Sequence, residues 1–122
     1  MRVIIAGSRG ITDAETVALA VEESNFNPTV VISGTAKGID QLGEDWATLH
    51  NIPIEQFPAD WKQYGKAAGM IRNEAMATKA EALVAIWDGE SKGTKNMIAL
   101  AKKYKLKTYV LTILKDNDEL TE

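Results

Sequence analysis

Cysteine is absent from the 122 residues. That removes disulfides, thiol nucleophiles and thiolate metal ligands together, and a reducing compartment fits. Histidine occurs once, as His50. A serine triad would depend on it, yet it stands at a predicted helix end, far along the chain from the glycine turns described below. No metal-ligand spacing is present, and neither a metal nor a cofactor is expected. Apolar runs are short: none approaches the ~20 residues of a membrane span, and Val3-Ile4-Ile5-Ala6 stops at Gly7, too soon for a signal-peptide core. The expectation is a cytoplasmic protein without a membrane partner. A positive excess is missing too. The formal net charge is −3, which argues against a protein built to coat nucleic acid.

What is present is an ordinary globular composition, 45% hydrophobic, in a length that suits one core. Residues 1–115 are expected to form one domain. Asp116, Asp118, Glu119 and Glu122 then make an acidic tail over 116–122, and Lys102, Lys103, Lys105 and Lys107 read as a solvated helix end.

Apolar runs and helical stripes alternate along the chain. Arg2–Ala6, Thr29–Ile32, Ile52–Phe57, Ala82–Trp87 and Thr108–Ile113 read as strands, with Pro53 marking the third as a beginning or an edge and Ala82–Trp87 as central. Helices are predicted after Thr12 or Asp13, which can cap the first, over Asp40–His50 and Ala67–Lys79, and from Thr94. Ile39, Leu42, Gly43, Trp46 and Ala47 make one buried stripe. Met70, Ile71, Ala75 and Met76 are expected inward in the next helix, and Met97, Ile98, Ala101 and Tyr104 in the last. Pro58–Gly65 reads as a polar-aromatic loop. The pattern predicts an α/β fold: three layers, helices on both faces of a mostly parallel five-stranded sheet.

In such a sheet the strand-to-helix turns share one edge, where open α/β sheets bind ligands. Three turns meet there. The first is Gly7-Ser8-Arg9-Gly10. The second runs Ser33-Gly34-Thr35-Ala36-Lys37-Gly38 to Asp40, and the third is Asp88-Gly89-Glu90-Ser91-Lys92-Gly93 to Thr94. Glycine turns leave backbone N–H groups free at helix starts, where the dipole favours anions. Arg9, Lys37, Lys92 and Lys95 lie in or after the turns, Arg72 is within reach, and Ser8, Ser33, Thr35, Ser91 and Thr94 add hydroxyls. An acidic protein that gathers cations at one edge points to an anionic ligand. No turn is a Walker A loop, and no Gly-x-Gly-x-x-Gly fingerprint occurs. Trp61, Tyr64 and Trp87 are candidates to stack on a base or to plug the core rim. Asp40, Asp60, Glu74, Asp88 and Glu90 are the carboxylates near this edge; each could serve as general acid or base, and Asp40 and Asp88 could equally anchor turns.

Gly7-Ser8-Arg9, Ser33-Gly34-x-Ala36-x-Gly38-x-Asp40, Pro58-Ala59-Asp60-Trp61, Gly69-x-x-Arg72-Asn73-x-x-Met76 and Trp87-Asp88-Gly89-x-Ser91-x-Gly93-Thr94, in that order, resemble the YspA/YpsA-related SLOG family. The resemblance spans Met1 to about Ile113. It implies a Rossmann-like fold, a nucleotide or nucleotide-derived ligand held for sensing or sequestration, and a homo-oligomer, with a dimer as first expectation. Two related groups frame the alternatives. Lonely Guy enzymes, phosphoribohydrolases, carry an Arg-Lys-x-x-Met helix and a Pro-Gly-Gly-x-Gly-Thr-x-x-Glu loop. Arg72 and Met76 match the first, with Asn73 for Lys; Gly93-Thr94 match the second, but Met97 takes the place of its glutamate. A hydrolase of that kind would need Glu74, Asp88 or Glu90 to substitute, and Arg72, Glu74 and Glu90 are the catalytic candidates. DprA proteins, which bind single-stranded DNA, have segments similar to Ser33–Asp40 and Arg72-Asn73. A nucleic-acid partner is the less favoured expectation.

Overall fold

Strands and helices alternate along residues 1–114, the part of the chain that the computed structural model describes. The strands are β1 (Arg2–Gly7), β2 (Val30–Ser33), β3 (Ile54–Gln56), β4 (Ala82–Trp87) and β5 (Lys107–Thr112). The helices are α1 (Ala14–Ser24), α2 (Ile39–Leu49), the single turn α3 (Trp61–Tyr64), α4 (Ala68–Lys79) and α5 (Lys92–Lys103), with a 3-10 turn over Gly65–Ala67. The strand order is β3-β2-β1-β4-β5 and every neighbouring pair is parallel. The architecture is Rossmann-like α/β.

The continuous apolar runs follow from burial on both faces. Val3, Ile5, Val31, Val84 and Ile86 pack beneath α1 and α2 with Val17, Ala20, Ile39 and Ala47. The alternate residues Ile4, Ala6, Ile32, Leu83 and Ala85 face Met76 and Ala77 of α4 and Met97 and Ala101 of α5. Each buried aliphatic side chain contributes ~1.5–3 kcal/mol. Gly43 lets α2 press onto β1, since a Cβ there would stand 2.8 Å from Ile5 Cγ2. Asp13 caps α1 by accepting the Glu15 N–H at 3.0 Å.

The sheet is entirely parallel. β3 is an edge strand, and β1 holds the middle with β4 beside it. Three local expectations change. Met70 and Ile71 are 58% and 41% exposed; the face of α4 that meets the sheet runs through Ala68, Asn73, Met76 and Ala77. Small residues and one amide fill that close contact, so apolar character alone pointed to the wrong side. The Pro58–Gly65 loop contains α3, capped by Asp60, whose carboxylate accepts the Gln63 N–H at 3.1 Å. α5 begins at Lys92 rather than Thr94 because Ser91 is its cap. The predicted tail over 116–122 lies outside the described residues.

Candidate functional site

From β1 the chain passes by α1 to β2 on one side, while β4 lies on the other and leads by α5 to β5. The strand order therefore reverses between β1 and β4, and beyond their carboxyl ends a crevice opens. A cavity of about 480 Å³ fills it. Ala6, Gly7, Arg9 and Gly10 line it from β1, Ala36 and Asp40 from the β2–α2 turn, Arg72, Asn73 and Met76 from α4, and Asp88, Ser91, Gly93, Thr94 and Met97 from the β4–α5 side. A smaller annexe of about 120 Å³, lined by Gly34, Thr35, Pro58, Ala59 and Trp61, shares Arg9, Ala36 and Arg72 with the main cavity. Another surface cavity of about 480 Å³ lies at the opposite end of the sheet, around Phe26, Trp46 and Ile52, and its lining includes no cation.

The three predicted turns are stitched together by their own polar groups. Ser8 is buried; its hydroxyl accepts the Asp88 N–H at 3.0 Å and its carbonyl the Ile39 N–H at 3.4 Å. Gly38, at φ +78, sets the start of α2 against the Arg9 backbone, so close that a Cβ would fall 2.5 Å from the Arg9 carbonyl oxygen. The Ser33 hydroxyl donates to Glu44 at 2.6 Å and accepts the Thr35 N–H at 3.1 Å. One Asp88 carboxylate oxygen accepts the N–H groups of Glu90 and Ser91, each at 2.8 Å, shaping the turn that Gly89 closes at φ +84. Ser91 Oγ accepts the Thr94 N–H and lies 3.0 Å from Thr94 Oγ1. The buried Asn73 amide donates to Gly93 O at 3.2 Å and Asn96 Oδ1 at 2.9 Å, and its oxygen accepts from Arg72 Nε at 3.0 Å. The serines and Asn73 thus build the walls with their hydrogen bonds turned inward.

Two cations face the cavity. Arg72 is held by the carbonyls of Gly34 and Phe57 and by Asn73. Arg9 lines both chambers, and among the described residues its side chain has no hydrogen bond or ion pair. Burial pushes the Arg72 guanidinium below its ordinary range; Asp40 opposes this, and the like charge of Arg9 adds to it. Asp40 is 6% exposed and accepts the Ala36 N–H at 3.1 Å. Burial raises its pKa from 3.8 to about 6, against the pull of the Ala36 N–H, Arg72 and the Gly7 N–H, while Glu44 raises it further.

Other candidates lie elsewhere. Lys37 and Lys92 are exposed and line neither chamber. Glu74 is spent on the α4–α5 seam, accepting from Tyr104 and Lys103, which hold its carboxyl below the usual range. Glu90 is exposed and Tyr64 is 43% exposed; neither borders the cavity. The Trp87 indole N–H donates to Ser91 O at 3.0 Å, which ties that ring to the turn. Met97, 1% exposed, contributes to the lining with its thioether beside Met76. Gly10 lines the cavity from the first glycine turn, while Ala6 and Met76 enter the lining from a strand and a helix that periodicity assigns to the core. The sequence reading did not foresee Thr35 at φ +64, a left-handed conformation that β-branched residues rarely adopt.

A Rossmann-like open sheet with a polar, arginine-bearing cleft at its switch point defines the class of protein. The chain belongs to the YspA, cpYpsA-related SLOG family (YAcAr), whose model matches residues 1–64. It is similar to the Gene 61 protein of Mycobacterium phage D29, with 38% identity over 112 residues, spanning 84% of this chain and 89% of the relative. No solved structure gives a significant match. At the level of the family, membership points to nucleotide-related binding. Among the described residues no helix is long and apolar enough to cross a membrane.

Proposed function

We propose that this protein binds a nucleotide or nucleotide-derived ligand, with phosphate held between Arg9 and Arg72 at the carboxyl edge of β1 and β4. One observation carries the reading. Two guanidiniums line one cavity close enough for Arg9 to disfavour the charge of Arg72, and Arg9 has no acidic partner among the described residues. Like charges gathered this way are relieved by an anion, and a planar fork suits phosphate oxygens. Gly93 adds to the site, because it lines the cavity at the start of α5 and a Cβ there would meet nothing within 4 Å, which leaves room for a ligand beside that helix end. A thermal-shift panel of nucleoside mono-, di- and triphosphates, ADP-ribose and cyclic dinucleotides tests it. A ligand at a hundredfold excess over its Kd stabilises by ~2.7 kcal/mol, so a rise in Tm of several degrees is expected for one class. No shift with any of them at millimolar concentration contradicts the proposal.

A second reading, cleavage of the bound nucleotide, is favoured by Asp40, a cavity carboxyl with a pKa of about 6. That value suits general acid–base work near neutral pH. Met97 supplies no carboxylate and Glu74 is engaged elsewhere, so Asp40 and Asp88 are the acids lining the cavity. Release of free base or phosphate from nucleoside monophosphates, lost in Asp40→Asn, is the result this reading predicts. Unchanged nucleotide after prolonged incubation contradicts it.

A further inference from the structure

The annexe differs from the main cavity in chemistry. Its outer wall is Pro58, Ala59 and Trp61, and it meets the main chamber at Arg9, Ala36 and Arg72. Trp61 is 53% exposed. Among the described residues its ring stacks on no other aromatic and carries no cation, and its indole N–H makes no hydrogen bond. A large aromatic surface left bare beside a charged cleft is costly in water unless a ligand covers it.

The backbone that carries the ring is anchored. Asp60 caps the turn that starts with Trp61, and the Phe57 N–H, donating to Ser33 O at 2.8 Å, ties the approach to β2. At Gly69 a Cβ would stand 3.6 Å from Trp61 Cη2 and 4.0 Å from Arg72 Nη2, so a residue without a side chain separates the indole from the guanidinium. Arg72 is held from its other side by the carbonyls of Gly34 and Phe57. Two flat groups thus border a small slot, and neither is stacked on the other.

We propose that the annexe is a subsite for a planar heteroaromatic ring, with Trp61 as the stacking platform. The ligand is then a nucleotide whose base lies against Trp61 and whose phosphate lies between Arg9 and Arg72, with the sugar linking the two. Trp61 sets the preference for nucleotides over simple phosphate esters. The inference rests on the anion-binding reading above and adds the ring and its location to it.

Calorimetric titration of the full chain with AMP, GMP, ribose 5-phosphate and inorganic phosphate tests it, using wild type, Trp61→Ala and Trp61→Phe. Wild type is expected to bind the nucleotides more tightly than ribose 5-phosphate. Trp61→Ala should weaken nucleotide binding by ~5-fold to ~150-fold, the range that loss of one stacked base corresponds to, and leave ribose 5-phosphate unchanged. Trp61→Phe should recover most of the loss. Equal affinity of wild type for AMP, GMP and ribose 5-phosphate, or an equal loss for all in Trp61→Ala, overturns the ring subsite while leaving the anion site standing. Failure of all four probes to bind overturns both.

Discussion

Arg72 and Asp40 both reach Gly34 without joining each other. A Cβ on Gly34 would lie 2.7 Å from Arg72 Nη1 and 2.8 Å from Asp40 Oδ2, yet no ion pair closes between the two side chains. Burial is the main influence on both groups: it raises the carboxyl's pKa and lowers the guanidinium's, and each group opposes the other's shift. The site therefore holds a buried carboxyl and a half-buried guanidinium in one cavity, each acting on the other's charge without a direct ion pair.

Asp40 makes stability fall with pH. Its carboxyl has a pKa of about 6 in the folded protein and about 3.8 unfolded. Below 3.8 both states are protonated and it contributes nothing. Between about 4 and 6 the folded state binds more protons, so stability declines as pH rises, and above 6 the cost is constant at about 3 kcal/mol. Arg72 and Glu44 are the charged groups acting on it. Asp40→Asn is expected to raise the urea midpoint at pH 7.5 and to change it little at pH 4. A loss of stability at pH 7.5 would contradict this.

Gly34→Ala is expected to destabilise by ~1–3 kcal/mol, the usual cost of overpacking. The added methyl meets Arg72 and Asp40 head-on, and the guanidinium must leave the Gly34 carbonyl. Urea denaturation reads the loss, and nucleotide affinity should fall with it. A neutral substitution would mean that Arg72 moves freely.

Thr35→Gly is expected to stabilise by up to ~1 kcal/mol, because it relieves a β-branched residue at φ +64, and left-handed geometry costs a side-chain-bearing residue ~1–2 kcal/mol. The exposed Thr35 side chain gives up little burial in return. A destabilised variant in chemical denaturation would show that the side chain holds the turn.

Asn73→Ala leaves the Gly93 carbonyl and the Asn96 amide without their donor and Arg72 Nε without its acceptor. Unsatisfied buried groups cost ~1–3 kcal/mol. Beyond that loss, hydrogen exchange at the start of α5 should quicken, since Asn73 is what joins α4 to Gly93. Unchanged exchange there would contradict the bridging role.

The sheet was legible from the residues because β2 and β4 are apolar on both faces and Pro53 marks an edge. The location of the candidate cavity was legible in outline, since parallel strands bring Gly7, Gly34 and Asp88 to one end whatever the details. What periodicity did not reveal was direction. Lys37 and Lys92 belong to the glycine turns but are exposed and line neither chamber. Asn73, a ligand-binding candidate in sequence, lines the cavity and also braces α4 against Gly93 and Asn96. Met70 and Ile71 look like core residues and lie on the surface, because close packing of α4 on the sheet selects Ala68 and Ala77.

The central claim is that Arg72 meets phosphate in the switch-point cavity. Calorimetric titration of AMP into wild type, Arg72→Gln and the solvent-facing Lys37→Gln tests it most directly. Loss of a charged hydrogen-bond donor costs ~1.5–3 kcal/mol, or roughly 10-fold to 150-fold in affinity. The account predicts a loss of that size in Arg72→Gln and less than about 2-fold in Lys37→Gln, since exposed pairs contribute little. Equal affinities for wild type and Arg72→Gln, or a larger loss in Lys37→Gln, would contradict it.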